Sequence, residues 1–533
     1  MESKKYQAFW RGAIILTIAS FVTKVLSAFY RIPYQNIAGD IGFYIYQQIY
    51  PFYGFCLILA TYGFPIIISK MVAERLERGK KQEAEEIICV SFWFLLGIGF
   101  IGFFTLFFGA EVIATAMGDI HLDKLLRVIS FSFILMPFLS VARGYFQGFN
   151  NMVPTAVSQV IEQTIRVSII VFLSLFLIAH EFDLYTVGVG AMLGSIAGGL
   201  IGIIVLILYM RHDFRSIFFK SVKRIKGKKK IIKILFWQGL AICVSNLVLI
   251  FIQMADSVSF YSLLIGAGEP AESAKVLKGV YDRSIPLMQL GTVVTTSFSL
   301  SLIPIITAAK ERGDLTFIRE KVRLAMKITF VIGFAAAIGL TCIIQPTNIM
   351  LFENSDGSDV LSILSLSILF SSLSITTASI LQGLGQTLKP AIFVVFGGCL
   401  KLVLNYILMP YFGAKGAAIA TLVALIVISV LNSMLLMRAV SESLIDKRNM
   451  LGIVISGFSM GFVLIMFMRV LQMSGLVMDT SHRGVATFEA LLGVAIGGLA
   501  YMFLILKLRV FTKAEIGTVM KKEKKEGSLK KSG

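Results

Sequence analysis

Apolar stretches long enough to cross a lipid bilayer recur along the whole chain, and they restrict the fold more than any other feature. A bilayer offers the backbone no hydrogen bonds, so each crossing is a helix or part of a closed barrel. The stretches are about 20 residues long or more, the length of a helical span. Only 15% of the residues are charged, whereas soluble domains carry charge on roughly a quarter. The sequence therefore predicts an all-α polytopic membrane protein with 14 transmembrane helices. The expected spans are 9–33, 41–69, 87–109, 123–147, 154–179, 184–210, 233–262, 283–308, 325–345, 359–384, 390–411, 414–437, 449–472 and 485–508.

The sequence lacks the motifs of enzymes, metal sites and disulfide-linked domains. The five cysteines all fall inside apolar stretches without paired spacing, which is typical of packing thiols. The four histidines show no ligand spacing, and no P-loop or nucleophile elbow occurs. We therefore expect a protein that is not an enzyme and holds no metal ion or cofactor. No cleavable signal peptide is expected, because the first apolar stretch, from near Phe9, lacks a small-residue cleavage site.

The distribution of Lys and Arg predicts the orientation of the chain. Lys and Arg outnumber Asp and Glu by 50 to 31, an excess that reflects membrane orientation here rather than nucleic-acid binding. Basic loops, the longest from Arg211 to Lys233, alternate with loops that are poor in base. Lys275 and Lys278 are exceptions, and Arg143 is a weak loop charge. We therefore expect a multi-pass membrane protein with both termini in the cytoplasm and no nucleic-acid partner.

Matching residues in the same order divide most of the chain into two similar halves. The matched sets are Phe9-Trp10 with Phe236-Trp237, Pro65 with Pro304, Gln147-Gly148 with Gln382-Gly383, and Pro154 with Pro390. Arg166 and Lys401 each lie 19 residues after the matched glutamine. Because each copy has six spans, an even number, the two repeats are parallel. We expect an N-lobe at 1–222, a C-lobe at 223–440, two further helices at 441–510 and a disordered basic cytoplasmic tail at 511–533.

Several charged residues fall at membrane depth. Placing a charge there costs free energy, so such residues by default mark a functional site. The basic residues are Lys24, Arg31, Arg166, Arg283 and Lys401, and the acids are Glu162, Asp282 and Asp256. A cavity lined by all of them would be cationic, and Arg binds phosphate oxygens bidentately. We therefore predict that the five bases bind an anionic, phosphate-bearing substrate, with Glu162 and Asp282 as supporting acids and Asp256 as a possible coupling-ion site. The alternative is that these charges neutralise one another and hold the two halves in register.

One of these acids and one of the bases share a helix face. Glu162 and Arg166 stand at positions i and i+4 in span 5, so their side chains lie on the same face. The repeat gives Arg166 a counterpart in Lys401, but the position four residues before Lys401 is Gly397. We therefore expect Glu162 to be the local partner of Arg166.

The motifs around spans 4, 5, 8 and 11 resemble those of a known transporter family. They are Arg143-Gly144-Tyr145-Phe146-Gln147-Gly148 with Pro154-Thr155-Ala156, Tyr281-Asp282-Arg283 with Gln289-Leu290-Gly291-Thr292, and Lys401-Leu402-Val403-Leu404-Asn405. The chain resembles the polysaccharide-transport, stage V sporulation protein B type of the multidrug/oligosaccharidyl-lipid/polysaccharide flippase superfamily, which includes MurJ-class lipid II flippases. The resemblance implies a V-shaped, two-lobed bundle with a cationic cavity, located in a bacterial plasma membrane. It also implies that Lys24, Arg31 and Arg283 hold a pyrophosphate.

Three functions are compatible with a chain of this kind. The first is a flippase that moves an undecaprenyl-pyrophosphate-linked saccharide, such as lipid II or an envelope polysaccharide unit, from the inner to the outer leaflet by alternating access. Its partners would be that lipid, the bilayer and cell-envelope synthesis enzymes, and its energy would come from the membrane potential or an ion or proton gradient. The second is a drug/cation antiporter, which a cationic interior opposes. The third is a membrane-embedded synthase, ligase or scaffold, for which no long loop with acid/base pairs is present.

Overall fold

The protein is a bundle of helices. A computed structural model describes residues 2–211, 227–473 and 482–512, and within them no β-strand occurs. The α-helices are α1 (Glu2–Phe29), α2 (Arg31–Ile58), α3 (Phe64–Glu77), α4 (Lys81–Ala116), α5 (Asp123–Gly148), α6 (Val153–Ala179), α7 (Leu184–Met210), α8 (Lys228–Ile234), α9 (Leu240–Ser245), α10 (Val248–Gly266), α11 (Ala271–Asp282), α12 (Ser284–Glu311), α13 (Leu315–Cys342), α14 (Ile344–Phe352), α15 (Ser358–Gly383), α16 (Leu388–Val440), α17 (Lys447–Met473) and α18 (Arg483–Lys507). Two π-helical turns, Leu59–Gly63 and Leu235–Gly239, lead into α3 and α9.

Two of these helices contain a reversal of the chain at a glycine. Gly39 and Gly413 have φ of 68° and 53°, in the region that favours glycine. A straight helix would separate Tyr30 from Tyr46 by about 24 Å, yet their hydroxyl groups are 2.6 Å apart. Lys401 Nζ likewise lies 2.7 Å from the carbonyl oxygen of Ala417. Each glycine therefore joins two antiparallel spans.

The fold class predicted from the sequence is confirmed. Eleven helices in the described ranges are long and apolar enough to cross a membrane. Dividing two of them at Gly39 and Gly413 and adding the 28-residue helix α12 gives the fourteen spans expected. The chain is therefore an all-α, multi-pass membrane protein. The predicted boundary at 222/223 and nearly all of the predicted tail lie outside the described residues, so these domain limits stay predictions.

Within the N-terminal half, defined as α1 to α7, a row of glycines lets α6 and α7 approach closely. Gly190, Gly194, Gly198 and Gly202 recur every fourth residue of α7. A Cβ atom at Gly198 would lie only 2.7 Å from the carbonyl oxygen of Glu162. Small residues at this spacing permit helix contact in a bilayer, where the hydrophobic effect does not drive association. This packing fixes α6, which carries Glu162 and Arg166.

The C-terminal half, α8 to α16, meets the N-terminal half mainly along three helix pairs. α1 packs against α12, and α2 packs against both α10 and α11. The last two helices, α17 and α18, lie against the C-terminal half: Tyr501 donates a hydrogen bond to the carbonyl oxygen of Val331 at 2.9 Å. A site between the halves is therefore lined by α1 and α2 on one side and by α10 and α12 on the other.

Candidate substrate cavity and its buried charges

A cavity lies between the two halves. Its volume, including the part that is continuous with the outside, is about 1360 Å³. The N-terminal half contributes α1, α2 and α6, and the C-terminal half contributes α9, α10, α12 and α15. Most lining groups are apolar or uncharged, and the polar ones include Gln159, Gln163, Gln253 and Gln289. Such a mixture of apolar surface and a few polar groups is typical of a ligand site.

Lys24 is the basic residue of the predicted set that lines this cavity. It stands on α1, and its Nζ is 5.9 Å from the centroid of the Tyr62 ring. Among the described residues it makes no ion pair with a carboxylate. An uncompensated ammonium in a partly buried cavity attracts anions.

Arg31 lies directly behind the cavity wall. Its side chain is fully buried, and Nη1 donates to the carbonyl oxygen of Ser27 at 2.6 Å and to Oε1 of Gln289 at 2.7 Å. The guanidinium group is 4.3 Å from the centroid of the Tyr50 ring. Its partners are therefore uncharged, and Ser27, Gln289 and Tyr50 themselves line the cavity.

Arg166 occupies an equivalent position on α6, and its partners are also uncharged. Nη2 donates to the hydroxyl of Tyr30 at 2.9 Å, and Nη1 donates to Oε1 of Gln163 at 3.2 Å. The ring of Tyr53 is 4.8 Å from the guanidinium carbon. The sequence predicted Glu162 as the partner of Arg166, and this prediction is wrong.

Glu162 pairs instead with Arg143, a residue of α5. Its Oε2 accepts a hydrogen bond from Nη2 of Arg143. Nη1 and Nε of the same arginine donate to the hydroxyl groups of Thr61 and Ser158. Arg143, expected from the sequence to be a weak loop charge, is fully buried within the helix. Glu162 lines the cavity, but its charge is compensated by Arg143 from behind.

Lys401 is buried inside the C-terminal half and does not line the cavity. Its ammonium lies 2.8 Å from Oδ1 of Asp256 and donates to Thr421 and to the carbonyl oxygen of Ala417. Asp256 also accepts hydrogen bonds from Tyr281 and Asn405. The proposed coupling-ion residue Asp256 is thus already neutralised by a cation of the chain itself.

The two matched halves differ at this point. With the offset of 227 between Phe9 and Phe236, Tyr30 corresponds to Ser257, the neighbour of Asp256. Lys401 therefore meets a carboxylate where its counterpart Arg166 meets a tyrosine hydroxyl. The internal repeat therefore matches Arg166 with Lys401 in position but not in neutralisation.

Asp282 and Arg283 are neighbours in the chain but belong to different ion pairs. Asp282 accepts two hydrogen bonds of 2.6 Å from Lys278, one turn earlier in α11. Arg283 donates to both carboxylate oxygens of Asp40, at 3.0 and 2.6 Å, and thereby joins the two halves. The basic residue Lys278, an exception in the loop charges, is therefore a buried partner of Asp282.

A second polar contact joins the halves at the end of the bundle that contains Asp40, which we call the Asp40 end. Lys275 of α11 lies 3.5 Å from Asp119 and donates to the hydroxyl of Tyr185 at 2.7 Å. The backbones also meet closely here, since a Cβ at Gly279 would be 2.1 Å from the carbonyl oxygen of Asp40. Asp40, Asp119 and Tyr185 carry no motif in the sequence: the two acids stand between predicted spans, and Tyr185 is the second residue of one.

The prediction that all five bases line one cavity is wrong. Lys24 lines it, Arg31 and Arg166 stand one layer behind it, and Arg283 and Lys401 are paired elsewhere. The charge around the cavity is still positive, because Lys24, Arg31 and Arg166 have no carboxylate partner in the described ranges, whereas Glu162 is compensated by Arg143. In the described part of the chain no three potential metal ligands cluster. The role of these residues in substrate binding stays a prediction.

The sequence of this helical bundle matches known protein families. Residues 9–310, which include α1 to α11 and nearly all of α12, match the family described as polysaccharide biosynthesis protein. The chain belongs to the polysaccharide biosynthesis protein family. Residues 279–407 also match a second family, MatE. The superfamily resemblance found in the sequence motifs is therefore confirmed.

Two relatives of this polysaccharide biosynthesis family member come from Bacillus subtilis. The uncharacterized membrane protein YabM is 40% identical over 515 residues, which cover 96% of this chain and 94% of that protein. Lipid II flippase MurJ is 26% identical over 522 residues, which cover 92% of this chain and 94% of that protein. Both similarities extend over nearly the full length, so they include the cavity and both ends of the bundle.

A solved structure shares the fold of this family member. The lipid II flippase MurJ in an inward closed conformation superposes with a TM-score of 0.65 at 16% identity, covering 93% of this chain and 99% of that one. At this identity the similarity shows the fold alone. It includes the helices beyond the twelve of the internal repeat.

Proposed function

We propose that this protein is a flippase that carries an anionic lipid-linked saccharide, with a pyrophosphate linkage to undecaprenol, from the cytoplasmic to the outer leaflet of a bacterial plasma membrane. The observation that carries the proposal is the uncompensated positive charge around the cavity: Lys24 on its wall, with Arg31 and Arg166 behind it. Anionic phosphate groups match such a site, and arginine is the side chain best suited to them. The relationship to lipid II flippase MurJ supports the same class of cargo.

The proposed mechanism is alternating access between the two halves. With both termini in the cytoplasm, the Asp40 end faces outward, and its ion pairs close the cavity on that side. The headgroup binds in the cavity while the lipid chain stays in the bilayer. Separation of the Asp40 end then opens the cavity to the outside. Because the cargo is anionic, an inside-negative membrane potential favours its outward movement by about 2.3 kcal/mol per charge per 100 mV.

The second candidate, a drug/cation antiporter, fits the charges less well. Organic cations bind where a carboxylate is free, and the one described carboxylate on the cavity wall, Glu162, is held by Arg143. The match to the MatE family covers only residues 279–407. A lipid-linked anion is therefore the better fit.

The proposal is tested by flipping assays in proteoliposomes with a fluorescent polyprenyl-pyrophosphate saccharide. Wild-type protein should speed its transfer between leaflets, Lys24→Ala should reduce that rate about tenfold, and Lys24→Arg should retain most of it. Lys70→Ala, at an exposed lysine of α3, is the matched control. Transfer by Lys24→Ala at the wild-type rate would refute the role of the cavity charge.

The identity of the saccharide is tested in cells. The wild-type gene should restore growth of a strain depleted of its lipid II flippase if lipid II is the cargo. Failure at normal membrane levels, together with activity in the proteoliposomes, would assign the protein to another pyrophosphate-linked envelope saccharide.

A further inference from the structure

Three glutamines on the cavity wall have hydrogen-bonding groups that no protein atom pairs. In the described part of the chain, Gln159 of α6 and Gln253 of α10 make no side-chain hydrogen bond at all. Gln163 accepts from Arg166 but leaves its Nε2 unused. Gln159 and Gln163 are only 7% and 6% exposed, and polar atoms at such burial are nearly always paired. The three amides therefore face a space in which a polar ligand completes their hydrogen bonds.

The internal repeat shows that the fold does not require glutamine at these positions. Twelve residues after the matched glutamine, the N-terminal half has Gln159 and the C-terminal half has Val394, which is fully buried. With the offset of 227 residues that relates the first spans of the two halves, Gln253 corresponds to Leu26. The matched positions thus pack with apolar side chains, so packing alone does not account for the amides.

The unused groups suit an uncharged ligand better than an anion. A phosphate offers only acceptor oxygens, and these would repel the unpaired Oε1 atoms of Gln159 and Gln253. A sugar hydroxyl both donates and accepts, as a primary amide does, and an acetamido group pairs with a primary amide in both directions. Because both ends of these two amides are free, the argument holds for either orientation of the amide. The amides therefore match a saccharide.

The rest of the cavity wall fits the same kind of ligand. Between the amides it is lined by aliphatic side chains, among them Leu57, Ile58 and Val248, and by the ring of Tyr62. A sugar ring presents C–H faces between its hydroxyl groups, and binding sites commonly combine apolar surface with a few polar groups. The volume of about 1360 Å³ exceeds the roughly 300–1,000 Å³ of small-molecule sites. It therefore has room for a saccharide as well as for phosphate groups near Lys24.

We propose that Gln159, Gln163 and Gln253 form a saccharide subsite, which recognises the hydroxyl and acetamido groups of an uncharged sugar unit. The inference rests on the proposed function and deepens it. Because α6 belongs to the N-terminal half and α10 to the C-terminal half, a saccharide in this subsite contacts both halves. The sugar, and not only its phosphate linkage, therefore determines which lipid the protein binds.

The test measures binding of two lipids to the full-length protein in nanodiscs. One is polyprenyl diphosphate, and the other is the same lipid carrying an uncharged disaccharide of N-acetylhexosamines. The wild type should bind the saccharide lipid about tenfold or more tightly, as expected when several neutral hydrogen bonds are added. Gln159→Leu and Gln253→Leu should each reduce this preference about threefold to tenfold and leave the affinity for the bare lipid unchanged. Equal weakening of both lipids, or no change in either, would overturn the subsite.

Gln386→Leu is the matched control for these variants. The Oε1 atom of Gln386 is also unpaired, but this residue lies between α15 and α16 and does not line the cavity. The control should bind both lipids as the wild type does. In every variant the bare lipid reports whether the cavity has kept its shape, because its binding requires the folded protein. A loss of saccharide preference in Gln386→Leu as well would contradict the assignment to the cavity.

The wild-type measurements distinguish failure of this inference from failure of the proposed function. Binding of both lipids with equal affinity refutes the subsite and leaves the flippase intact, whereas binding of neither refutes both. The free disaccharide identifies the source of the sugar. Competition that is lost in Gln253→Leu shows that the free sugar suffices, and absence of competition assigns the subsite to the lipid-linked sugar.

Discussion

At the scale of single residues, the interior contains paired and unpaired charges, and the two groups respond differently to mutation. The Arg143–Glu162 pair is fully or nearly fully buried at the cavity wall. Removing one member of a buried pair leaves an uncompensated charge, which typically costs about 3–5 kcal/mol. The stability of α5 against α6 therefore depends on both residues.

We predict that Glu162→Gln lowers the midpoint of thermal inactivation of the detergent-solubilised protein and its yield in membranes. The double variant Glu162→Gln/Arg143→Gln should lose less than the sum of the two single variants, because it leaves no charge unpaired. Glu181→Gln, an exposed residue beyond the end of α6, is the control and should behave as the wild type. Additive losses in the double variant would show that the pair is not coupled.

The sequence predicted one cavity for all eight charges at membrane depth, because such charges are rare. Only Lys24 and Glu162 line the cavity, with Arg31 and Arg166 directly behind its wall. The sequence could not identify their partners. Glu162 and Arg166 are one turn apart, and this spacing favours a pair on an isolated helix. The actual partner, Arg143, lies on the preceding helix, and the choice depends on how α5 and α6 rotate when α7 packs against them. Tyr30, Tyr50 and Tyr53 escaped notice because aromatic residues are common in any membrane helix.

At the scale of helices, glycines of α7 set its packing against α6, because the two backbones are too close for a side chain between them. We predict that Gly198→Ala lowers the thermal inactivation midpoint, because its Cβ would lie 2.7 Å from the carbonyl oxygen of Glu162 and force the two helices apart. Overpacking of this kind costs about 1–3 kcal/mol. Gly97→Ala, where no atom lies within 4 Å of the new Cβ, is the matched control and should be neutral or slightly stabilising.

The π-helical turns mark a second contact between the halves, on the far side of the cavity from Asp40. A Cβ at Gly63 would lie 2.1 Å from Sγ of Cys243. We predict that Gly63→Ala lowers thermal stability and that adding Cys243→Ala restores part of it, because the remaining contact, to Cβ, is 3.2 Å. Cys243→Ala alone is the control for the lost thiol. If Cys243→Ala gave no recovery, the clash would not explain the loss.

Hydropathy was sufficient to predict the spans, since each one is long and apolar, but it was not sufficient for the short helix α11. The expected spans leave residues 263–282 between helices, whereas Ala271–Asp282 is helical and carries Lys275, Lys278 and Asp282. This helix is only 12 residues long and amphipathic. Its Lys275 finds partners in Asp119, which lies between α4 and α5, and in Tyr185 of α7, and such tertiary contacts stabilise a short helix. Those partners are distant in sequence, so local reasoning does not reach them.

At the scale of the whole molecule, the ion pairs at the Asp40 end hold the two halves together above the cavity. Of the contacts of Arg283, those to Asp40 cross between the halves, whereas those to Asn348 and Asn354 stay within the C-terminal half. Loss of the Asp40 carboxylate therefore destabilises the closed arrangement but leaves Arg283 with hydrogen-bond acceptors when the halves separate. Alternating access requires that this end separates.

We predict that Asp40→Asn shifts the protein toward a state that is open at this end. The measurement is labelling of a single cysteine, Ser27→Cys on the cavity wall, by a membrane-impermeant maleimide from outside the cell, with the five native cysteines replaced by alanine. Labelling should rise about tenfold or more, because a buried charge pair stabilises the closed state and its loss shifts the population accordingly. Asp183→Asn is the control: Asp183 caps the start of α7, and its hydrogen bonds stay within the N-terminal half. Equal labelling of the two variants would show that the Asp40–Arg283 pair does not keep the cavity closed.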